Sequence, residues 1–481
     1  MIKRIGIECE SIEGKNPMWG VGRMIMKLLE EISRRPELEK NFRFVLYFKD
    51  TVPDFPFLNA PIFEKKTIPV PFFKNRLFPI YYFALLPMKL WFEELDVMFW
   101  PNYMLPIIAF GKSLVMLTED VYYETKEGKL PFRYRLAYGI FGQWTARFAT
   151  KIMAISETSK KNIAKLYNIN PNRIIVNYPG VDFSDHGGNP NQGDYILYIG
   201  QAFPRRHLKE TILAFEKLIT QQKEHPYKLE NIGMSELILI AIGPDKYETP
   251  SIGPLVSEVN NRLGRQAVIH KDYVKDNELV DLYDRAKALM YVSDREAFGL
   301  PPMEALSFGV PPVVMDNELG HELFGDNAFY VQNPNPDGIA EGIHQALTQT
   351  EKNTKIKTAG PAFARQYNWN RFTDMFLEFI RDREKLFIYG TLQDPETQEI
   401  VFKRTIRNKN DTIAGYRKSE IIIDGVNYPI ITPDHRSEVS GKVIEITSKE
   451  LAAADQYETT IYKRIRVNLK SGQPAWVYVK N

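Results

Sequence analysis

The sequence predicts an α/β protein in which two doubly wound parallel sheets face each other across a cleft, followed by a small, mainly β domain. Three observations predict it. Strand-like and helix-like runs alternate from the N-terminus, as they do when helices cover both faces of a parallel sheet. A polar, glycine-rich break, HGGNPNQGD from His186 to Asp194, interrupts the alternation, which then restarts. Beyond Lys385 the pattern changes to short strands and turns.

In residues 1–186 the runs RIGIE, FRFVLYF, DVMFW, SLVMLT and KIMAIS read as strands, with MIMKLLEEISRR, YRLAYGIFGQWTARFA and ETSKKNIAKLY as helices. In residues 193–360 the strands are YILYIG, ELILIAIGP, AVIHKDYV, ALMYVS and PPVVMD, with helical text such as LKETILAFEKLI and DNELVDLYDRA between them. Ligands of such sheets sit at the carboxyl ends of the strands, so the active site is expected between the two domains. Residues 361–384 read as helix. In residues 385–481 the strands are KLFIYGTL, EIVFKRTIR, SEIIIDGVNYPII, GKVIEIT, YKRIRVNLK and PAWVYVK, with one short helix, SKELAAAD.

A chain of 481 residues calls for several cores, and 44% hydrophobic with 25% charged residues is ordinary globular composition. The 62 basic and 60 acidic residues nearly cancel, which gives no electrostatic argument for a nucleic-acid partner. The single cysteine, Cys9, can form neither an internal disulfide nor a metal cluster and suits a buried strand thiol in a reducing cytoplasm. MIKRIGIECE lacks an export signal, and no run supplies the roughly 20 apolar residues of a spanning helix. The stretch Phe72 to Phe110 is aromatic but interrupted by charges and prolines. It reads as amphipathic, either core helices or a surface touching the inner face of a membrane.

The most informative segment is YVSDREAFGLPPMEALSFGVPPVV, Tyr291 to Val314. It places a strand, an acidic loop, the turn AFGLPP and a helix opening near Pro302 and Met303. Free N–H groups at Phe298, Gly299 and Leu300, with the helix dipole, favour an anion such as a diphosphate. Glu296 in the loop and Glu304 in the first helical turn stand about 10 Å apart by rise per residue. That is wider than the roughly 5 Å of a retaining glycosidase pair, so the two carboxylates are placed to grip separate parts of one long ligand.

At these residues the sequence resembles the family-4 retaining glycosyltransferases of GT-B fold, whose signature is Glu, seven residues, Glu around a GFGLP-like turn. The resemblance covers about residues 1–384 in order: MWGVGRMIMKLLEEI with Gly20, Gly22 and Arg23; DVMFWPNYMLP; KIMAISETSKKNIAKLYNI; RIIVNYPGVD; YILYIGQAFPRRHLKETILAFEKL; and DYVKDNELVDLYDRAKALMYVS. It implies that Glu296 contacts the donor sugar, Glu304 the ribose, and Arg206, assisted by Arg205, the diphosphate of a nucleotide sugar. Positive groups there stabilise the leaving diphosphate without a metal or other cofactor, and no Asp-x-Asp triplet is present. The acceptor, whether glycan, lipid-linked or a small molecule, stays open.

Two positions depart from the family. Glu119 stands where members often have histidine, followed by Asp120, which leaves the acceptor-side chemistry open. The basic loop reads Arg206-His207 rather than Lys-Asn or Lys-Gly, exchanging a point charge for a planar fork. Each residue also has a bland reading. Glu296 and Glu304 can be helix-start carboxylates, Arg206 a surface charge, Gly20 and Gly22 a tight turn, and Glu119 and Asp120 loop caps.

From Lys385 the runs KLFIYGTLQDPE, GVNYPIITP and SGKVIEITSKELAAADQYETTIYKRIRV resemble the gamma-glutamylcyclotransferase-like family. The resemblance implies that the loop Tyr389, Gly390, Thr391 and Leu392 presents N–H groups to a substrate carboxylate. It also implies that Glu458 is the acid/base that cyclises a gamma-glutamyl compound to 5-oxoproline. Thr459 replaces a common glycine. The expected whole is a glycosyltransferase with a second domain that is either cyclotransferase or a non-catalytic docking module. The rival readings are a nucleotide-sugar epimerase or phosphorylase of the same fold and a nucleotide-binding recognition protein.

Overall fold

The structure, a computed structural model, describes residues 2–13, 20–68, 85–106, 108, 111–126, 132–182, 193–224, 236–381, 383–423, 426–458 and 461–481. Two units emerge, Met1–Asp374 and Met375–Asn481. Most of the HGGNPNQGD break, most of the aromatic stretch after Phe72, and Thr459 lie outside the described residues.

The first unit holds two parallel sheets. In chain order the first comprises β1 (Lys3–Glu8), β2 (Phe42–Phe48), β3 (Phe63–Thr67), β4 (Val97–Trp100), β5 (Lys112–Met116), β6 (Lys151–Ala154) and β7 (Ile174–Val176), arranged β3-β2-β1-β4-β5-β6-β7. The second comprises β8 (Tyr195–Ile199), β9 (Ile238–Ile242), β10 (Val268–Lys271), β11 (Leu289–Tyr291), β12 (Pro312–Met315) and β13 (Phe329–Val331), arranged β10-β9-β8-β11-β12-β13. In each the chain winds outward one way and then the other, so the order reverses between β1 and β4 and between β8 and β11. Loops leaving neighbouring strands at such a point part and leave a crevice. The strands are buried on both faces, as in VMFW and YILYI, because helices cover both sides.

The second unit is a mixed sheet of β14 (Arg383–Ile388), β15 (Asn408–Ile423), β16 (Val426–Thr447), β17 (Tyr462–Asn468) and β18 (Pro474–Lys480), ordered β15-β16-β14-β18-β17. Its central strand alternates between two cores. Leu386 and Ile388 pack with Phe402, Leu451 and Trp476, whereas Phe387 and Tyr389 pack with Ile413, Ile431 and Val477.

Four sequence readings change here. EIVFKRTIR is no strand: its apolar part ends the helix Pro395–Phe402, whose start is set by Asp394 accepting the Thr397 N–H (3.0 Å) and by proline in the first turn. The runs SEIIIDGVNYPII and GKVIEIT belong to one long hairpin, β15–β16, whose register shifts between Ala414 and Tyr416 around Gly415 at φ 81°. The helical text of residues 361–384 is two helices, Thr350–Ala364 and Trp369–Ile380, with β14 already running from Arg383. The motif helix begins at Leu300, not at Pro302.

Candidate functional site

In the first unit the functional side chains come from loops at the switch point of the second sheet. The loop after β8 carries Arg205 and Arg206 in the turn Pro204–Arg206, and the loop after β11 carries Glu296. Arg206 donates to Glu296 through Nε (2.6 Å) and Nη2 (3.1 Å), a two-pronged pair between residues 90 apart in sequence. Burial raises the Glu296 carboxyl, but Arg206 outweighs it and holds the group below the usual carboxylate range, ionised. Two further ties fix the loops to each other. The Asp294 N–H donates to the Arg205 carbonyl (2.9 Å), and the His207 Nε2 meets Asp294 at 2.8 Å. His207 stands at φ 47°, so it closes the turn in the left-handed conformation that suits asparagine or glycine.

Arg205 is differently placed. Its guanidinium lies 4.7 Å from the Phe203 ring centroid and 4.0 Å from Asp120, while its buried Nε has no hydrogen-bond partner. The sequence reading put Arg206 first on the diphosphate. The structure engages Arg206 with Glu296 and sets Arg205 against Phe203 and Asp120.

Glu304, in the helix Leu300–Ser307, is 5% exposed and takes the Tyr283 hydroxyl at 2.9 Å and the Arg23 guanidinium at 2.6 Å. Arg23 comes from the helix Val21–Ser33, whose N-cap is Gly20 and whose second residue is the buried Gly22. The same guanidinium meets Asp182 at 2.8 Å, and Asp182 takes the Trp369 indole N–H at 3.1 Å. Gly299, at φ 103°, turns the chain into the motif helix, a conformation a side chain would strain. Pro301 and Pro302 lack N–H groups, so the open donors of that first turn reduce to Leu300 and Met303. Phe298 is buried between the rings of Tyr178 and Tyr367.

Glu119 is 2% exposed and turned away from the crevice, accepting from the Ser159 hydroxyl and from Asn162 Nδ2 (3.2 Å) on the helix Glu157–Tyr167. Asp120 faces Arg205, and its carboxyl is pushed up to about 7, by burial first and by the charge of Glu296 second. Sequence reasoning passed over Tyr283, Asp182, Ser156 and Glu322. The Ser156 hydroxyl donates to the carbonyl of Ala297 (2.8 Å), and Glu322 caps a helix of the first sheet. Nothing local marks such residues, because their partners lie more than a hundred positions away or behind a fold.

The second unit builds its own cavity of about 220 Å³, lined by Tyr389, Gly390, Thr391, Leu392, Pro429 and Glu458, with Tyr428, Tyr457, Tyr462 and Tyr478. The bend at Gly415 brings the far half of the β15–β16 hairpin over the Tyr389 loop. Pro429 then sits so close that a Cβ on Gly390 would meet its Cγ at 2.8 Å. The Tyr389 hydroxyl donates to the Tyr478 carbonyl (2.7 Å), and its carbonyl accepts from Lys418 (3.0 Å). Glu458 ends the helix Ser448–Glu458, and burial alone pushes its carboxyl up to about 7. All five sequence-predicted residues of this pocket therefore share one cavity.

Residues 182–363 match the family model of group 1 glycosyl transferases, and residues 386–481 match that of AIG2-like gamma-glutamyl cyclotransferases. Over 186 residues the chain is 30% identical to the O-antigen chain mannosyltransferase RfbU of Salmonella typhimurium, covering 39% of this chain and 47% of that protein. Over 85 residues it is 34% identical to AIG2-like protein A of Arabidopsis thaliana, covering 18% of this chain and 50% of that one. The chain thus spans about half the length of these curated relatives. The solved structure of WaaG, a glycosyltransferase involved in lipopolysaccharide biosynthesis, aligns with a TM-score of 0.58 at 18% identity over 78% of this chain and 99% of WaaG. The two parallel sheets are those of the GT-B fold.

Proposed function

We propose that this chain, which joins a group 1 glycosyltransferase domain to an AIG2-like gamma-glutamyl cyclotransferase domain, transfers a sugar from a nucleoside diphosphate donor with retention and without a metal. The observation that carries the reading is the switch-point crevice, where Arg205, Arg206 and Glu296 converge and Glu304 stands on the adjoining helix. As the glycosidic bond breaks, negative charge grows on the leaving diphosphate. Fixed guanidinium groups then stabilise the transition state more than the ground state. Arg206, assisted by Arg205 beside it, is the diphosphate contact, with Glu296 reserved for sugar hydroxyls and Glu304 for the ribose. Asp120, held near 7, is the acceptor-side carboxylate. The similarity to an O-antigen mannosyltransferase makes mannose donors the first to test, with a glycan or lipid-linked acceptor reached from the cytoplasmic face of a membrane.

The test is a panel of nucleoside diphosphate sugars, read by thermal shift and slow donor hydrolysis, with product anomers assigned by NMR. A true donor at a hundredfold excess over its Kd should add about 2.7 kcal/mol of stability. An inverted anomer would refute retention; tight nucleotide binding with no turnover would favour the recognition-protein reading.

A second activity is favoured by the Glu458 cavity. There the amine of a gamma-glutamyl group gives a proton to Glu458 and attacks the side-chain amide carbon. The bond to the leaving amine then breaks, Glu458 returns the proton to that amine, and 5-oxoproline remains. Release of 5-oxoproline from a gamma-glutamyl panel tests it, and an inert pocket would leave a docking module.

A further inference from the structure

Five hydrogen bonds cross between the two domains of the first unit around the start of the helix Glu157–Tyr167. Glu322 of the second sheet's domain takes the N–H groups of Glu157 (2.7 Å) and Thr158 (2.7 Å), the two leading donors of that helix. It also takes the Thr158 hydroxyl and, on its other oxygen, the Tyr178 hydroxyl at 2.8 Å. Ser156 satisfies the third donor, Ser159 N–H, at 3.0 Å, and sends its own hydroxyl to the Ala297 carbonyl beside Glu296. Helix ends carry unpaired donors and a positive dipole end, and an N-cap normally comes from the preceding residue. Here two of the three caps come from the opposite domain.

The helix that bears Glu322, Glu318–Phe324, also forms a wall of the depression beside Glu296, through Leu319, Gly320 and Phe324. On the far side, the capped helix holds Glu119 through Ser159 and Asn162, and Glu119 is bonded in sequence to Asp120. One carboxylate therefore stands between the donor wall and the acceptor-side loop.

We propose that Glu322 is a positioning residue for sugar transfer: a clamp that closes the two GT-B domains by capping a helix across the cleft, so that Asp120 is held opposite Glu296 and the arginine pair. This rests on the transferase reading. Glu322 acts through the helix and touches no reacting atom. Opening the clamp misplaces the acceptor side while leaving in place the contacts inside the second sheet's domain, Arg206–Glu296 and Tyr283–Glu304.

The experiment compares the full chain with Glu322→Ala and Glu322→Gln, first by hydrogen exchange without any ligand. The Glu157 and Thr158 amides should exchange at least tenfold faster in Glu322→Ala. Glu322→Gln, which keeps one acceptor oxygen, should fall between. Unchanged exchange overturns the clamp. The second arm uses the nucleotide sugar that the parent consumes, chosen from UDP-glucose and GDP-mannose. There kcat should fall ten- to a hundredfold in Glu322→Ala with the donor KM within about twofold, in line with the cost of a misplacement of about 1 Å. Faster exchange with an unchanged kcat overturns the positioning role. A parent inert toward both sugars counts against the transferase reading instead, and the exchange arm then decides the clamp alone.

Discussion

Replacing Glu458 by glutamine should make the C-terminal unit more stable, and only toward the alkaline side. Burial raises the Glu458 carboxyl from 4.5 to about 7, with no opposing cation among the causes. In the unfolded chain the group loses its proton near the ordinary value, and in the folded chain only near 7. Between those values the folded state holds the extra proton. The stability this supplies is complete below 4.5, falls as pH rises, and is gone above about 7. At about 1.4 kcal/mol for each tenfold change, the window amounts to roughly 3 kcal/mol, an upper bound because the carboxyl keeps some water. Glutamine cannot ionise and escapes the loss. The assay is urea unfolding of the fragment Met375–Asn481, followed through its single tryptophan, the buried Trp476. Parent and variant should coincide at pH 4, and the variant should be about 1 to 3 kcal/mol more stable at pH 8. A variant that is less stable at pH 8, or equally shifted at both pH values, refutes the view that unpaired burial governs this carboxyl. In the same fragment, 5-oxoproline release should rise with pH through about 7 and drop about 10²- to 10⁴-fold in Glu458→Gln.

In the first unit, Arg205→Met should weaken nucleoside diphosphate binding at least tenfold while leaving the Arg206–Glu296 pair intact; calorimetry with UDP and GDP checks this, and unchanged affinity removes Arg205 from the diphosphate site. Glu304→Ala should weaken donor binding by about 1 to 3 kcal/mol, because the ribose loses a buried partner and Arg23 loses one of its two counter-charges, keeping Asp182. Equal affinities would exclude Glu304 from the site. Sugar transfer should survive chelator at full rate, measured by release of the nucleoside diphosphate, and a loss restored by magnesium or manganese would overturn the metal-free mechanism.

The periodicity of residues 1–360 carried the two parallel sheets, because a strand buried on both faces, such as YILYI, advertises itself by composition alone and its helices follow at regular intervals. The turn AFGLPP brought Glu296 and Glu304 forward from adjacent residues, with the ordered series of segments around it, whereas the Tyr389 loop came from its resemblance to the cyclotransferase-like family. EIVFKRTIR was misleading for a local reason. Its apolar residues suit a strand, and the helix signal, Asp394-Pro395, lies before it. What tertiary structure alone decided is pairing across sequence distance. That Arg206 is engaged by Glu296 while Arg205 lies against Phe203 and Asp120 depends on two loops meeting at a switch point. That Glu119 turns into a helix rather than the crevice depends on where Ser159 arrives. That Glu322 caps a helix of the opposite domain depends on how two separately wound sheets close on each other. Secondary structure is specified by neighbours within a few residues, whereas the partner of a buried charge is chosen by whichever side chain the fold delivers to it, and no local pattern records that delivery.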